Sequence, residues 1–397
     1  MDQRKFAFNI PTRIEYGAGV VESVGEEVKK FAGKKVLIVA DKGIVKAGLV
    51  DKVKEPLERS GLEMIVFDLV EPNPKDKTVE KGAELAREQK IDVIIGVGGG
   101  SSMDTAKGIG LLVTNGGLIG DYWGWDTVGK PSLPLITIPT TAGTGSEVTI
   151  WAVIDDTSGE YVIKEAVGSQ LICPRVTLVD PLLTTSLPPI LTAETGMDAL
   201  THAIEAYTAI PASPLTDALA LYSIGLIATN LGKAFANGDN LEARDNMMLG
   251  SLMAGIAFSN SDTAGVHCMA EAVGGLYDTP HGLSCAIFLP YVMEYNLIAD
   301  QKKHADIAEA MGENIAGLSL REAALKSVVA VRNLMKEVGI TPDARKLDVK
   351  EEDIPRLAKI AMTNVCVQDN PRKFRESDFV DIFRRAMCNV ESEFKAK

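Results

Sequence analysis

The sequence predicts a doubly wound, Rossmann-like α/β domain followed by an all-helical domain. Over the first 150 residues, apolar β-type runs alternate with helical patterns. A glycine-rich turn closes one of those runs, and after Pro188-Pro189 strand patterns give way to long helical ones. A chain of 397 residues is long enough for two separate cores.

Taken in order, Lys35–Ala40 reads as a strand and Val45–Ser60 as a helix. Met64–Phe67 is a second strand, followed by a charged helix over Asp76–Lys90. Ile91–Val97 is a third strand, Met103–Val113 a helix and Leu133–Ile138 a fourth strand. These strands are nearly continuous apolar runs, the pattern of a parallel sheet covered by helices on both faces. Ligands are then expected at the carboxyl ends of the strands. Beyond the boundary, apolar residues recur at helical spacing, as in Leu219, Ser223, Leu226 and Ile227. The expected division is a dinucleotide-binding domain over 1–187 and a helical domain over 188–397.

Composition excludes several classes. The chain is 46% hydrophobic and 24% charged, values of an ordinary globular protein. Its 41 Lys and Arg against 54 Asp and Glu give a net charge of −13, which repels nucleic-acid backbones. The start has no apolar signal core, and uncharged stretches such as Ala218–Gly232 fall short of the ~20 residues of a membrane span. No repeat is present. The five cysteines form no Cys-x-x-Cys pair and read as free thiols in a reducing compartment, so a cytoplasmic protein is expected.

Strand Ile91–Val97 runs into Gly98-Gly99-Gly100-Ser101-Ser102 and then a helix carrying Asp104 and Lys107. Glycines allow close backbone approach, and a helix N-terminus suits a pyrophosphate, with Ser101 or Ser102 as cap or hydroxyl contact. The G-x-G-x-x-G fingerprint is not met, because Ser101 stands at its third place. A tight structural turn would use the same residues. Asp41, after the first strand, could bind an adenosine ribose and repel a 2′-phosphate, or be a turn aspartate. Pro139-Thr140-Thr141-Ala142-Gly143-Thr144-Gly145-Ser146-Glu147, after the fourth strand, could line a polar ligand or form a flexible loop.

Of the four histidines, His202 lies four residues after Asp198, on one face if the segment is helical. Such a pair can hold a divalent ion or be a solvated pair. His267 and His281 would lie about 21 Å apart on one straight helix. Gly274-Gly275 and Asp278-Thr279-Pro280, between them, are signals for ending a helix and turning back. One Asp and three His then form an N₃O set with an open position, the alternative being three core histidines.

At this point the residues resemble a family. Gly98-Gly99-Gly100-Ser101, Pro139-Thr140-Thr141-Ala142-Gly143-Thr144, Thr195-Gly196-Met197-Asp198-Ala199-Leu200-Thr201-His202 and Pro280-His281-Gly282 resemble the iron-containing (group III) alcohol dehydrogenases. The resemblance runs from Tyr16-Gly17-Ala18-Gly19 to Asn370-Pro371-Arg372. It implies a dehydroquinate synthase-like architecture, with Asp198, His202, His267 and His281 as ligands of iron(II), or of zinc. It implies Asp41 as the acid selecting NAD over NADP. Asn73, Gly99, Gly100, Ser101, Asp104, Thr140, Thr141, Thr144, Thr149 and Lys164 become cofactor contacts, and Phe258 and Cys366 line the substrate pocket. His304 matches nothing and is expected at the surface. The family also suggests a homodimer or larger homo-oligomer.

Two departures stand out. The family commonly reads His-x-Met-Ala-His from the third ligand, the second histidine relaying a proton; here the run is His267-Cys268-Met269-Ala270-Glu271. Glu271 is therefore the candidate relay, the alternatives being a fifth metal ligand or a polar residue of the cleft. Trp151 replaces a small polar amide of the lactaldehyde-reductase type, so a different pocket is expected. The implied activity is reversible hydride transfer between a small primary alcohol or diol and nicotinamide. The rivals are a glycerol-dehydrogenase-like zinc enzyme, a hydroxyacid–oxoacid transhydrogenase, a dehydroquinate-synthase-type lyase and a non-catalytic nucleotide-binding or scaffold subunit.

Overall fold

The computed structural model describes residues 5–388. Its first half holds β1 (Arg13–Tyr16), α1 (Val24–Lys30), β2 (Lys35–Asp41), α2 (Lys42–Lys46) and α3 (Leu49–Arg59). These are followed by β3 (Glu63–Val70), α4 (Asp76–Glu88), β4 (Val93–Gly98) and α5 (Gly100–Asn115). Then come β5 (Gly124–Trp125), β6 (Leu135–Pro139), β7 (Trp151–Asp156), β8 (Ile163–Gly168) and β9 (Val176–Val179). The second half is helical: α6 (Pro189–Thr208), α7 (Pro214–Ala236), α8 (Leu241–Phe258), α9 (Gly265–Tyr277) and α10 (His281–Asn296). It ends with α11 (Gln301–Ala310), α12 (Leu320–Glu337), α13 (Ile354–Thr363) and α14 (Glu376–Cys388).

Six parallel strands form the main sheet in the order β1-β9-β6-β4-β2-β3. Alternate residues explain the continuous apolar runs. Leu37, Val39 and Ile94 enter one core with α4 and α5 residues, whereas Val36, Ile38, Val93 and Ile95 enter another with α1 and α3 residues. Both faces are covered, so neither can be polar. The order reverses between β2 and β4, placing the crevice beside their carboxyl ends. A third core fills the helical half, built largely on α6, α8, α9 and α10.

Several expectations need correction. One helix was expected over Val45–Ser60, but α2 and α3 divide at Gly48, whose φ of 75° breaks the run. Sequence patterning missed β1, β5, β9 and the β7–β8 hairpin. The last two form, with β5, a second sheet in the order β5-β8-β7 whose half-exposed residues lack a continuous apolar run. α7 is the one helix among the described residues that is long and apolar enough to cross a membrane by length and composition; here it packs against α6, α8 and α11.

The two halves meet closely at Gly145 and Gly255. Gly145 has a φ of 64°, and a Cβ there would lie 2.5 Å from the Gly255 Cα. That approach seats the loop after β6 directly on α8.

His304 is not at the surface. It is 1% exposed, with Nδ1 3.3 Å from the Ser327 hydroxyl and Nε2 without a partner. Burial lowers its pKa from 6.5 to about 4. Between those values the unfolded chain binds the proton and the folded one does not, so stability falls as pH drops from 6.5 towards 4. The contribution is about 3 kcal/mol. His304→Leu should flatten that part of the stability–pH curve in urea unfolding; an unchanged slope would contradict the burial argument.

Candidate active site between the sheet and the helices

The strand ends supply one wall of a long cleft. Asp41 closes β2, where its Oδ1 accepts from Gly43 N at 2.7 Å and Ile44 N at 3.1 Å, capping α2. Gly98 closes β4 with a φ of 142°, and α5 begins at once with its first N–H groups directed at the cleft. A Cβ on Gly100 would lie 2.9 Å from Thr144 Cγ2, so only glycine leaves the passage open. The hydroxyl oxygens of Ser102, Thr140 and Thr141 are buried without partners in the protein. Unpartnered donors beside a helix N-terminus fit a bound pyrophosphate. Of the two roles open to Ser101 and Ser102, capping α5 is not taken; Gly99 holds that position and Ser101 Oγ donates to the Pro72 carbonyl.

All the expected cofactor residues line this cleft. Asp41, Gly99, Ser101, Thr140 and Thr141 border its outer cavity. Asn73, Gly100, Asp104, Thr144, Thr149 and Lys164 border the inner one, which shares Pro72 and Ser101 with the first. Several of these polar groups already have protein partners. Asp104 accepts from Ser146 Oγ, Lys107 Nζ and Val153 N. Buried Lys107 also donates to Ser146 (2.8 Å), Thr149 (3.1 Å) and the Trp151 carbonyl (2.6 Å). Lys164 bridges Asp155 at 3.1 Å and Asn73 at 2.9 Å, and Asn73 Nδ2 donates to Asp278. These networks set the shape of the pocket floor.

Four side chains from three helices meet at the inner end. Asp198 and His202 share a face of α6, His267 lies in the first turn of α9 and His281 opens α10. The reversal comes at Asp278, whose φ is 53°, not at Gly274-Gly275, where absent side chains admit Lys164 and the Val162 carbonyl. Asp198 Oδ1 lies 3.7 Å from His202 Nδ1, 3.9 Å from His267 Nε2 and 3.6 Å from His281 Nε2. The Nε2 atoms of His202 and His267 face each other at 3.0 Å. Burial, then the charge of neighbouring His267, hold His202 and His281 well below the usual imidazole value, so both rings are neutral. Burial raises Asp198 to about 6. Its Oδ1 and His202 Nδ1 are buried without partners. An orphaned carboxylate oxygen beside three imidazoles, two of them held neutral, suits a divalent ion, and the residues present fit one.

Sequence reasoning missed Glu205. Its carboxylate lies 2.6 Å from His267 Nδ1 and accepts from Ala264 N (3.0 Å) and Val266 N (2.6 Å), capping α9. Burial opposes protonation of His267, but the Glu205 hydrogen bond and charge outweigh it and raise its pKa. The His267 Nδ1–H is thereby held on Glu205, with Nε2 directed at the cluster, where it could bind an ion in place of a proton. The legible signal was the i, i+4, i+7 spacing of Asp198, His202 and Glu205. Cys285 was also missed. Its sulfur lies 3.6 Å from His281 Nε2, one helical turn on along α10.

The remaining candidates surround this cluster. Phe258 stacks on His202 with centroids 4.3 Å apart. Cys366 Sγ lies 3.1 Å from Asp262 Oδ1 and 3.3 Å from Thr263 Oγ1. Glu271 accepts from Asn364 Nδ2, and burial raises its pKa. Trp151 packs over Gly168 and lies 5.4 Å from the Trp125 ring. Glu271, Trp151 and Phe258 line both the inner cavity and an outer chamber bordered by Trp125, Asp262 and Asp369.

Comparison with known proteins matches the same segments. Residues 11–181 match the family model described as iron-containing alcohol dehydrogenase, and residues 192–387 its Fe-containing alcohol dehydrogenase C-terminal counterpart. The chain is 46% identical to 1,3-propanediol dehydrogenase of Klebsiella pneumoniae over 388 residues, covering 97% of this chain and 100% of that protein. It is 43% identical to NAD-dependent methanol dehydrogenase of Bacillus methanolicus over 380 residues, covering 96% and 99%. A crystal structure of 1,3-propanediol oxidoreductase superposes with a TM-score of 0.94 at 46% identity, covering 96% and 100%.

The Glu205 contact yields a direct expectation. Glu205→Gln should weaken divalent-ion binding by roughly 10–100-fold, read by calorimetry against a competing chelator. Unchanged affinity would show that Glu205 serves only to cap α9.

Proposed function

The chain belongs to the iron-containing alcohol dehydrogenase family, and from that premise we propose that it moves a hydride reversibly between the carbinol carbon of a small primary alcohol or diol and the nicotinamide of NAD. The observation that carries this reading is the shared cavity: the Asp198–His202–His267–His281 cluster opens into the space bordered by Gly100, Ser101 and Thr144. Asp198 and the three histidines would hold iron(II). Zinc suits the same donors and binds N₃O sites more tightly, so loading follows availability. The ion supplies Lewis acidity, polarising the C–O bond of alcohol or aldehyde.

The chain's own residues do the rest. The N-terminus of α5 and the hydroxyls of Ser102, Thr140 and Thr141 bind the cofactor's phosphates. Asp41 uses Oδ1 to cap α2, leaving Oδ2 for the ribose, which favours NAD over NADP. Thr144, Thr149 and the Lys107 network fix the floor under the nicotinamide. Phe258, Trp151 and Cys366 bound the substrate space and limit water. Glu271, reaching both the inner cavity and the outer chamber, receives the alcohol proton through water and passes it outward. Residues 1–187 form the nucleotide domain and 188–397 the metal domain, in keeping with the last strand ending at Val179 and α6 starting at Pro189. A homodimer or larger assembly accompanies this reading, for β1 is an edge strand with one side unpaired in the main sheet.

A phosphate-releasing lyase would need Lys or Arg around the metal donors. The basic residue lining the inner cavity is Lys164, already held by Asp155 and Asn73. Asp198 and Glu271 formally neutralise a divalent ion, so anionic substrates gain little attraction. Neutral alcohols and aldehydes are the substrates that fit.

The test is a panel of two- to six-carbon aldehydes with NADH and NADPH, run on protein reconstituted anaerobically with iron or zinc. Propanal or butanal with NADH should give the highest kcat/KM. A hydroxy acid or sulfonated aldehyde better by an order of magnitude would overturn the substrate class. Glu271→Gln should lower kcat by roughly 10²-fold and remove one ionisation from its pH profile. Full activity with an unchanged profile would reject the relay.

A further inference from the structure

We propose that Cys285 is a sulfur donor at the metal site, forming with Asp198, His267 and His281 a second, closed four-donor set. The inference rests on the metal reading above but concerns a residue which that reading does not use. The Cys285 sulfur, an Asp198 carboxylate oxygen and one nitrogen each from His267 and His281 all lie within 4.8 Å of one another. Donors around a tetrahedral ion with bonds of ~2.0–2.3 Å stand roughly 3.3–3.8 Å apart. The 3.6 Å from Sγ to His281 Nε2 and the 3.6 Å from that nitrogen to Asp198 Oδ1 fall in this range, and the 3.9 Å to His267 lies just beyond it. Asp198 Oδ1, buried and unpartnered, is common to both donor sets.

The two sets differ in which side they close. His202 lines the inner cavity, so the set containing it faces the cleft and leaves a position open there. Cys285 is fully buried and does not border that cavity. An ion drawn towards it sits deeper, with four protein donors and no open position, the arrangement of structural rather than catalytic zinc sites. Binding breaks the S–H bond, forms a metal–sulfur bond and releases the proton to solvent. Thiolate is a soft donor that favours zinc and cobalt over iron in mixed N/O/S sites. Cys285 thus biases the site towards a zinc-loaded, closed state.

Cobalt(II) reports this directly. The metal-depleted full chain, titrated with cobalt(II), should develop visible d–d bands together with a near-ultraviolet sulfur-to-metal charge-transfer band. Cys285→Ser and Cys285→Ala should lose the charge-transfer band, whereas Cys173→Ala should keep it. Zinc affinity should fall by roughly tenfold or more in the Cys285 variants. X-ray absorption of the zinc-loaded unsubstituted chain should show one sulfur at about 2.3 Å, a readout that requires no variant to fold. d–d bands without a charge-transfer band, or a zinc shell of nitrogen and oxygen alone, would overturn the role of Cys285 and leave the Asp–His site standing. Absence of any d–d band would overturn both.

Discussion

A buried carboxylate with an orphaned oxygen beside two uncharged imidazoles carries an electrostatic cost that the fold has to offset. Asp198 is almost completely enclosed, one of its oxygens has no partner, and burial raises its pKa. Of the histidines around it, His202 and His281 are held neutral, and His267, whose pKa is raised, is already paired with Glu205. A divalent cation would offset that cost, and α6, α9 and α10 bring the side chains that could hold one to a single place. Without the ion the cluster is a set of desolvated polar groups of the kind that native cores avoid.

Much of the surrounding structure holds that convergence in place. Glu205 ties α6 to the start of α9 by satisfying two backbone N–H groups and the His267 ring together. One carboxylate therefore caps a helix and sets a tautomer. On the other side, Gly145 against Gly255 brings the loop after β6 onto α8, whose last residue, Phe258, stacks on His202. The cofactor wall and the metal wall are thus joined by direct contact. Lys107 and Lys164 are buried cations, each with a nearby carboxylate and further acceptors. These contacts fix both side chains beside the cleft.

The legibility of the sequence was uneven for identifiable reasons. β2, β4 and β6 were readable because a strand covered on both faces must be apolar at successive positions. β7 and β8 were not, since each faces solvent along part of its length and its alternation is broken by Glu165, Lys164 and Asp155. The histidine cluster could be anticipated from a helical Asp–His spacing and a turn between His267 and His281. Of the two turn signals between them, Asp278-Thr279-Pro280 marks the reversal, whereas the paired glycines admit Lys164 and Val162. His304 was expected at the surface because it belongs to no motif, yet it is packed beside Ser327. A lone imidazole carries no sequence mark of its burial.

Sequence alone determined local character: strands that must be covered, a glycine-rich turn at a strand end, and residue types of the kind that can hold a divalent ion. These follow from the covalent chain, since periodicity and residue type act over a few positions. Tertiary structure decided which groups are neighbours. That Glu205 orients His267, that Cys285 stands behind His281, and that Asp104 is occupied by Ser146, Lys107 and Val153 depend on contacts between separate elements. The spacing of residues along the chain does not encode such contacts, because packing of the three cores determines them.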